Sequence, residues 1–217
     1  MNLTVYEGVY EIFKKKRKAL YTKALTPHVL FDETVTNGYR EFSPYHSKIA
    51  AGIIKRIKEL PIKKDSVILY LGASHGYTAS FVSDICSEGM IFCIDHAPTV
   101  VRKLLTVCKI RNNMIPLLGD ATKPETYKQR VVPVDCIIQD VAQKDQVGIL
   151  IKNLIYLKPK GHIILAVKTR SIDVTKRPDV IIKNVEQELK KHVHILDIKR
   201  LDPYEKDHFL IIGKRKT

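Results

Sequence analysis

Hydrophobic and polar positions divide this chain into two regimes. From Val67 onward, continuous apolar runs at 67–71, 91–95, 114–118, 134–139 and 161–168 alternate with helical patterns at 77–87, 98–110, 122–130 and 144–157. In the last of these, Val147, Leu150, Ile151 and Leu154 recur at helical spacing. A further helix over 178–191 leads into two strand-like runs, 193–200 and 208–214. Short strands that are apolar on both faces and separated by helices predict an α/β, Rossmann-like fold. Its sheet would be seven-stranded, mostly parallel and doubly wound, with the last two strands paired as a hairpin at one edge. Such sheets bind ligands beyond the carboxyl ends of their strands, so the residues that follow each strand are the candidates for function.

The first 42 residues follow another pattern. Short β-type runs (Val5 to Tyr10, Leu20 to Lys23, His28 to Phe31) are broken by polar clusters, with Asn37-Gly38 as a turn signal. They predict a small β-rich N-terminal domain over residues 1–42 and a Rossmann-like domain over 43–217. The second begins with a helix expected to take Ser43 as N-cap and Pro44 as its first residue. Ile49, Ile53, Ile57 and Leu60 would form its apolar stripe.

Composition narrows the class. The chain has 217 residues, of which 45% are hydrophobic and 28% charged, as expected of a globular protein. No apolar run approaches the ~20 residues that span a bilayer, and Met1 to Tyr10 lacks the pattern of a signal peptide. A cytoplasmic location without membrane partners is therefore expected. Cys86, Cys93, Cys108 and Cys136 form no C-x-x-C pair and are read as reduced, buried small hydrophobes; no metal site is expected.

Charge points to a polyanionic partner, nucleic acid first. The 37 basic residues outnumber 23 acidic ones, a net charge of +14. Up to Asp65 there are 13 basic and 7 acidic residues (+6), and beyond it 24 and 16 (+8), so no detachable basic tail exists. Lys14 to Lys18 and Lys214 to Lys216 are local concentrations. The Lys14 to Lys18 run has no aromatic interleaving that would make a single-strand stacking platform, and no RRM, KH or zinc-finger reader is present. Charge alone narrows the partner class and leaves the chemistry open.

The strand ends carry the chemistry. The first leads into Gly72-Ala73-Ser74-His75-Gly76, which fails the dinucleotide fingerprint at Ser74 and lacks the phosphate-loop lysine. The second ends at Asp95, 19 residues after Gly76, where an acid would accept ribose hydroxyls. The third ends in Gly119-Asp120-Ala121 and the fourth in Asp140. Each aspartate alone could be a helix cap, but three in succession suggest a nucleoside-binding rim without the glycines a pyrophosphate needs. A nucleoside cofactor without phosphates points to S-adenosylmethionine. Lys168, at the end of the fifth strand, requires a partner, and Asp140 on the expected neighbouring strand is that partner. Lys48 opposes the macrodipole of its helix, which suggests that it is directed at something. Asp207-His208 opens the last strand, where a histidine is more often structural.

Taken in order, several segments resemble the fibrillarin family in its short archaeal form, over nearly the whole chain. They are Gly8-Val9-Tyr10, Arg40-Glu41-Phe42-Ser43-Pro44-Tyr45-His46-Ser47-Lys48, Thr78-Ala79-Ser80-Phe81-Val82-Ser83-Asp84 and Ala97-Pro98. Leu118-Gly119-Asp120-Ala121, Gln139-Asp140-Val141-Ala142-Gln143, Lys168-Thr169-Arg170-Ser171-Ile172-Asp173-Val174-Thr175 and Tyr204-Glu205-Lys206-Asp207-His208 complete them. The resemblance implies an S-adenosylmethionine-dependent ribose 2′-O-methyltransferase acting on ribosomal RNA, with transfer RNA as a second candidate substrate, within a box C/D guide ribonucleoprotein. It implies a catalytic set falling on Lys48, Asp140, Lys168 and His208, and cofactor contacts falling on Gly72, Thr78, Asp95, His96, Asp120, Ala121, Asp140 and Gln143. The partners it implies are guide RNA, target RNA, a Nop-type scaffold protein and a kink-turn-binding protein. The chain departs from the family at Ser74-His75-Gly76-Tyr77-Thr78, where two bulky side chains stand near the expected methionine end, and at Asp95-His96 in place of Glu-Phe. Two rival readings are a non-catalytic RNA-binding subunit with a relic fold and, weakened by Ser74, a nicotinamide-dependent oxidoreductase.

Overall fold

The computed structural model of the protein describes residues 2–14 and 17–216; Lys15 and Lys16 of the first basic run lie outside them. Strands β1 (Asn2–Leu3), β2 (Val9–Lys14), β3 (Arg17–Lys23), β4 (Val35–Thr36) and β5 (Tyr39–Glu41) form an antiparallel sheet in the order β1-β2-β3-β5-β4. Helix α1 (Lys48–Ile54) follows. The larger sheet comprises β6 (Val67–Leu71), β7 (Met90–Asp95), β8 (Met114–Leu118), β9 (Val134–Gln139), β10 (Leu157–Lys168), β11 (Val193–Arg200) and β12 (His208–Arg215). Its order is β11-β12-β10-β9-β6-β7-β8. Neighbouring strands among β6 to β10 are parallel, while β12 runs antiparallel to both β10 and β11, placing the terminal hairpin at one edge.

Continuous apolar runs form these strands because alternate residues feed two separate cores. Ile68, Tyr70, Ile138 and Ile164 pack on one face against α1, α2 (Tyr77–Ile85) and α3 (Pro98–Cys108). Leu69, Leu71, Ile137 and Leu165 pack on the other against α4 (Gln146–Asn153) and α6 (Pro178–Leu189). Burying each such side chain contributes roughly 1.5–3 kcal/mol, so shifting a strand by one residue would exchange the two cores.

Several local expectations are corrected. His28 to Phe31 forms no strand, and in the Val5 to Tyr10 run the strand starts only at Val9. The chain turns at Pro44 to His46, so α1 is capped by Ser47 rather than Ser43, and Lys48 is its first residue. The helix ends at Ile54 because Arg56 takes a left-handed φ of 59°. Ile57 and Leu60 are buried from the coil beyond it. Residues Pro124–Arg130 form a 3-10 helix, and a 3-10 turn (Leu154–Tyr156) follows α4. β10 begins earlier than expected, with a register shift between Leu157 and His162. A short helix α5 (Thr169–Ile172) was not signalled by periodicity.

The two sheets are joined by a buried charge network. Arg40, 1% exposed, donates from Nε to Asp84 Oδ2 (3.1 Å), from Nη1 to Glu33 and from Nη2 to the Thr26 carbonyl (3.0 Å). Asp84, on α2, also accepts Thr22 Oγ1 (2.8 Å), the Leu25 amide (3.0 Å) and Arg111 Nη1 (2.8 Å). Phe42 stacks on Phe81 at 4.5 Å beside it. All four cysteines are free, and burial raises the thiol pKa values, to about 12 for Cys86 and about 11 for Cys108. Among the described residues no helix is long and apolar enough to cross a membrane, and no group of His, Cys, Asp and Glu could hold a metal ion.

Candidate active site

The carboxyl ends of β6, β7, β8 and β9 open on a cleft of about 470 Å³, within the size range of small-molecule sites. Gly72, Asp95, His96, Asp120, Ala121, Asp140 and Gln143 line it together with Lys168. Thr78 does not. It lines a small separate cavity with Lys48, Tyr70, Gln139 and Asp140.

Each rim residue has a local cause. Gly72 has φ +76°, and a Cβ there would stand 2.6 Å from the Asp140 carbonyl oxygen, so this position requires glycine twice over. Gly76 (φ +94°) answers to packing, since a Cβ would meet Leu104 at 2.8 Å. Asp95 ties the loop down, with Oδ2 accepting the Ser74 amide (3.0 Å) and Oδ1 the Ala97 amide (3.1 Å). Each oxygen keeps a lone pair for another donor. Asp120 Oδ1 accepts the Thr122 hydroxyl (2.7 Å) and amide (2.9 Å), which hold its carboxyl below the usual carboxylate range. The His96 ring stands largely exposed at the rim. His75 and Tyr77, the bulky departures, turn elsewhere: Tyr77 packs on Phe31, His46 and Phe81, and His75 sits beside Leu30, Phe31 and Lys103. Neither lines the cleft.

At the lip, Asp140 is held between two ammonium groups. Lys48 Nζ donates to Oδ2 at 2.9 Å, and Lys168 Nζ lies 2.9 Å from Oδ1. Each carboxylate oxygen thus faces one ammonium group. Burial alone would raise the Asp140 carboxyl; the charges of Lys48 and Lys168 outweigh it and hold the group below the usual range. The unfavourable position of Lys48 in its helix is thus compensated by a carboxylate 92 residues away in sequence.

His208 faces Lys168 across the β10–β12 ladder, so the two side chains share a face. Its Nδ1 lies 2.7 Å from the Lys206 carbonyl, which can only accept, so Nδ1 donates and Nε2 is left facing outward from this contact. The loop before it is pinned by Thr169 and Arg170: Thr169 Oγ1 donates to the Asp207 carbonyl (2.7 Å) and Arg170 Nε to the Asp207 carboxylate (2.9 Å). Glu205, 3.8 Å from Lys48 Nζ, is a member of this cluster that residue patterns did not single out. Its one available signal is its place three residues before His208.

The family model for fibrillarin matches residues 2–217. The chain belongs to the fibrillarin family. It is 43% identical to the fibrillarin-like rRNA/tRNA 2′-O-methyltransferase of Methanocaldococcus jannaschii, over 96% of this chain and 94% of that protein. A crystal structure of Aeropyrum pernix fibrillarin with natively bound S-adenosyl-L-methionine superimposes with a TM-score of 0.90 at 39% identity, covering 98% of this chain and 96% of the other. The fibrillarin of a fibrillarin/Nop5p complex does so with a TM-score of 0.90 at 38% identity, covering 100% of both chains. The chain therefore shares its fold over nearly its whole length with relatives seen with a cofactor or a protein partner.

Proposed function

We propose that this chain transfers a methyl group from S-adenosylmethionine to ribose 2′-hydroxyls of ribosomal RNA, and of transfer RNA, at guide-selected sites. The observation that carries the reading is the Lys48–Asp140–Lys168 cluster at the lip of a nucleoside-sized cleft. The residues present suit the cofactor. Asp95 and Asp120 have acceptor capacity for hydroxyl and amine donors, and the bare Gly72 backbone admits close approach. Gly72, Asp95, His96, Asp120, Ala121, Asp140 and Gln143 would hold it, with Thr78 supporting from behind Asp140.

When bound, S-adenosylmethionine supplies a methyl group activated by a sulfonium centre. The protein's task is to position the 2′-oxygen and to stabilise it as its proton leaves. Lys168 is assigned to that oxygen, its ammonium favouring alkoxide character. Asp140 holds Lys168 in place and Lys48 holds Asp140. His208, held through Nδ1 by the Lys206 carbonyl, completes the cluster on the same face.

Base pairing with a box C/D guide RNA selects the nucleotide, since the chain carries no sequence reader and only a broad positive charge. A Nop-type scaffold protein and, through the assembled particle, a kink-turn-binding protein complete the complex; the likeness to the fibrillarin of the fibrillarin/Nop5p complex supports the scaffold. The location is cytoplasmic. Residues 1–42 and 43–217 are taken as the two functional units.

Cofactor binding separates this reading from a relic subunit. Titration calorimetry should give saturable S-adenosylmethionine binding below roughly 1 mM. Gly72→Ala should weaken it by about tenfold or more, since its Cβ drives against the Asp140 carbonyl at a positive φ. Absence of binding at millimolar cofactor would favour the relic.

A further inference from the structure

The end of β10 is finished by a single side chain. The β9–β10 ladder stops at the pair Leu165 and Gln139, three residues short of Lys168. Beyond that point β12 still pairs with Lys168 on one side, but among the described residues no strand serves the other. Gln146, the first residue of α4 and 1% exposed, fills the place. Its Oε1 accepts the Lys168 amide at 3.0 Å, and its Nε2 donates to the Lys168 carbonyl at 3.0 Å. One side-chain amide thus reproduces both bonds of a missing ladder rung. The Gln146 carbonyl in turn accepts Gln139 Nε2 at 2.7 Å, and Gln139 immediately precedes Asp140. Two glutamines therefore tie the backbone that carries Lys168 to the backbone that carries Asp140, through the start of α4.

We propose that Gln146 is a positioning residue for methyl transfer: it sets the register of Lys168 against Asp140 and the 2′-oxygen. The proposal rests on the assignment of Lys168 to that oxygen. Gln146 does not line the cleft, so it acts through Lys168 and not on the cofactor. A backbone shift near 1 Å at a group that must meet a reacting atom costs on the order of 100-fold in rate. Losing both rungs releases the Lys168 backbone on one side only, because β12 still holds the other. The expected loss is about 10- to 100-fold in kcat, with cofactor affinity within about twofold of wild type.

Gln146→Glu gives a signature that a merely structural role would not. An ionised glutamate can accept the Lys168 amide but cannot donate to its carbonyl, whereas the protonated acid can do both. Burial favours the protonated form, while the Lys168 amide and the α4 N-terminus favour the ionised one, so the variant is compared with wild type across pH. The test is single-turnover methyl transfer and cofactor titration by wild type, Gln146→Ala, Gln146→Glu and Lys168→Ala. Each is assembled with scaffold, kink-turn-binding protein and guide RNA and measured from about pH 5 to 8. The expected result is a slow Gln146→Ala with intact cofactor affinity, and a Gln146→Glu rate that climbs towards wild type as pH falls. Should Gln146→Ala fail to fold, the pH dependence of the Gln146→Glu to wild-type ratio decides alone. A Gln146→Ala rate within twofold of wild type, a Gln146→Glu rate within twofold of wild type at every pH, or a loss confined to cofactor affinity would overturn the proposal. If Lys168→Ala is inactive while both Gln146 variants run at full rate, only the positioning role falls. If Lys168→Ala keeps its rate, the assignment beneath it falls too.

Discussion

Lys168→Ala is expected to lower single-turnover methyl transfer by about 10³-fold while S-adenosylmethionine affinity changes by no more than about threefold. Among the described residues, its ammonium group is the one cation within ion-pair distance of Asp140 that also lines the cleft. Lys48, the other, lies on the small cavity behind Asp140. Removing Lys168 takes away stabilisation of the developing oxyanion and leaves the nucleoside rim intact, so the loss falls on rate and not on cofactor binding. Asp140 keeps Lys48 as a partner in this variant, which protects the fold from an unpaired buried carboxylate. The Asp140 carboxyl is held below its ordinary value of about 3.9, so the stability this pairing contributes is present above that pH. It is lost as pH falls through the lower folded value. Acid inactivation in the mildly acidic range must therefore come from another group. A Lys168→Ala chain that transfers methyl at near wild-type rate would remove it from the reaction.

The second large effect is on stability. Asp84→Ala should destabilise the protein by about 3–5 kcal/mol, because it leaves Arg40 and Arg111 buried without their shared carboxylate. For a chain of this size that corresponds to a melting temperature lower by on the order of 10 °C. The Thr22 hydroxyl and the Leu25 amide lose their acceptor in the same step, so the contact between the N-terminal sheet and α2 loosens. At a temperature where the variant remains folded, cofactor affinity should be near wild type, since Asp84 is buried away from the cleft. An unchanged melting temperature would mean that the network contributes nothing net.

The large sheet was legible because its strands are buried on both faces, which leaves unbroken apolar runs such as Val67 to Leu71. The small sheet was legible only as β-rich, since two of its strands have two residues and no periodicity can register them. The spacing of Ile49, Ile53, Ile57 and Leu60 imitates a long helix, yet a left-handed Arg56 interrupts it and burial alone kept the last two apolar. At the site, aspartates at successive strand ends and a lysine ending a buried strand were conspicuous because no core needs them there. The Lys168–Asp140 pair followed from adjacent strands, and the ladder between β9 and β10 bears that out. Glu205, Gln146 and Asp84 were not legible as members of these arrangements. A glutamine at a helix start or an acid in a loop is ordinary in sequence, and its meaning depends on partners far along the chain.

The most direct measurement follows the methyl group itself. The assembled particle is given labelled S-adenosylmethionine and either a ribose target or the same strand with a 2′-deoxy nucleotide at the guided position. The expected result is one methyl group per target, located on the 2′-oxygen of that nucleotide, with none transferred to the deoxy strand. Methylation of a base, or equal transfer to the deoxy strand, would contradict the assignment of this cleft and its lysine–aspartate–lysine cluster to ribose 2′-O-methylation.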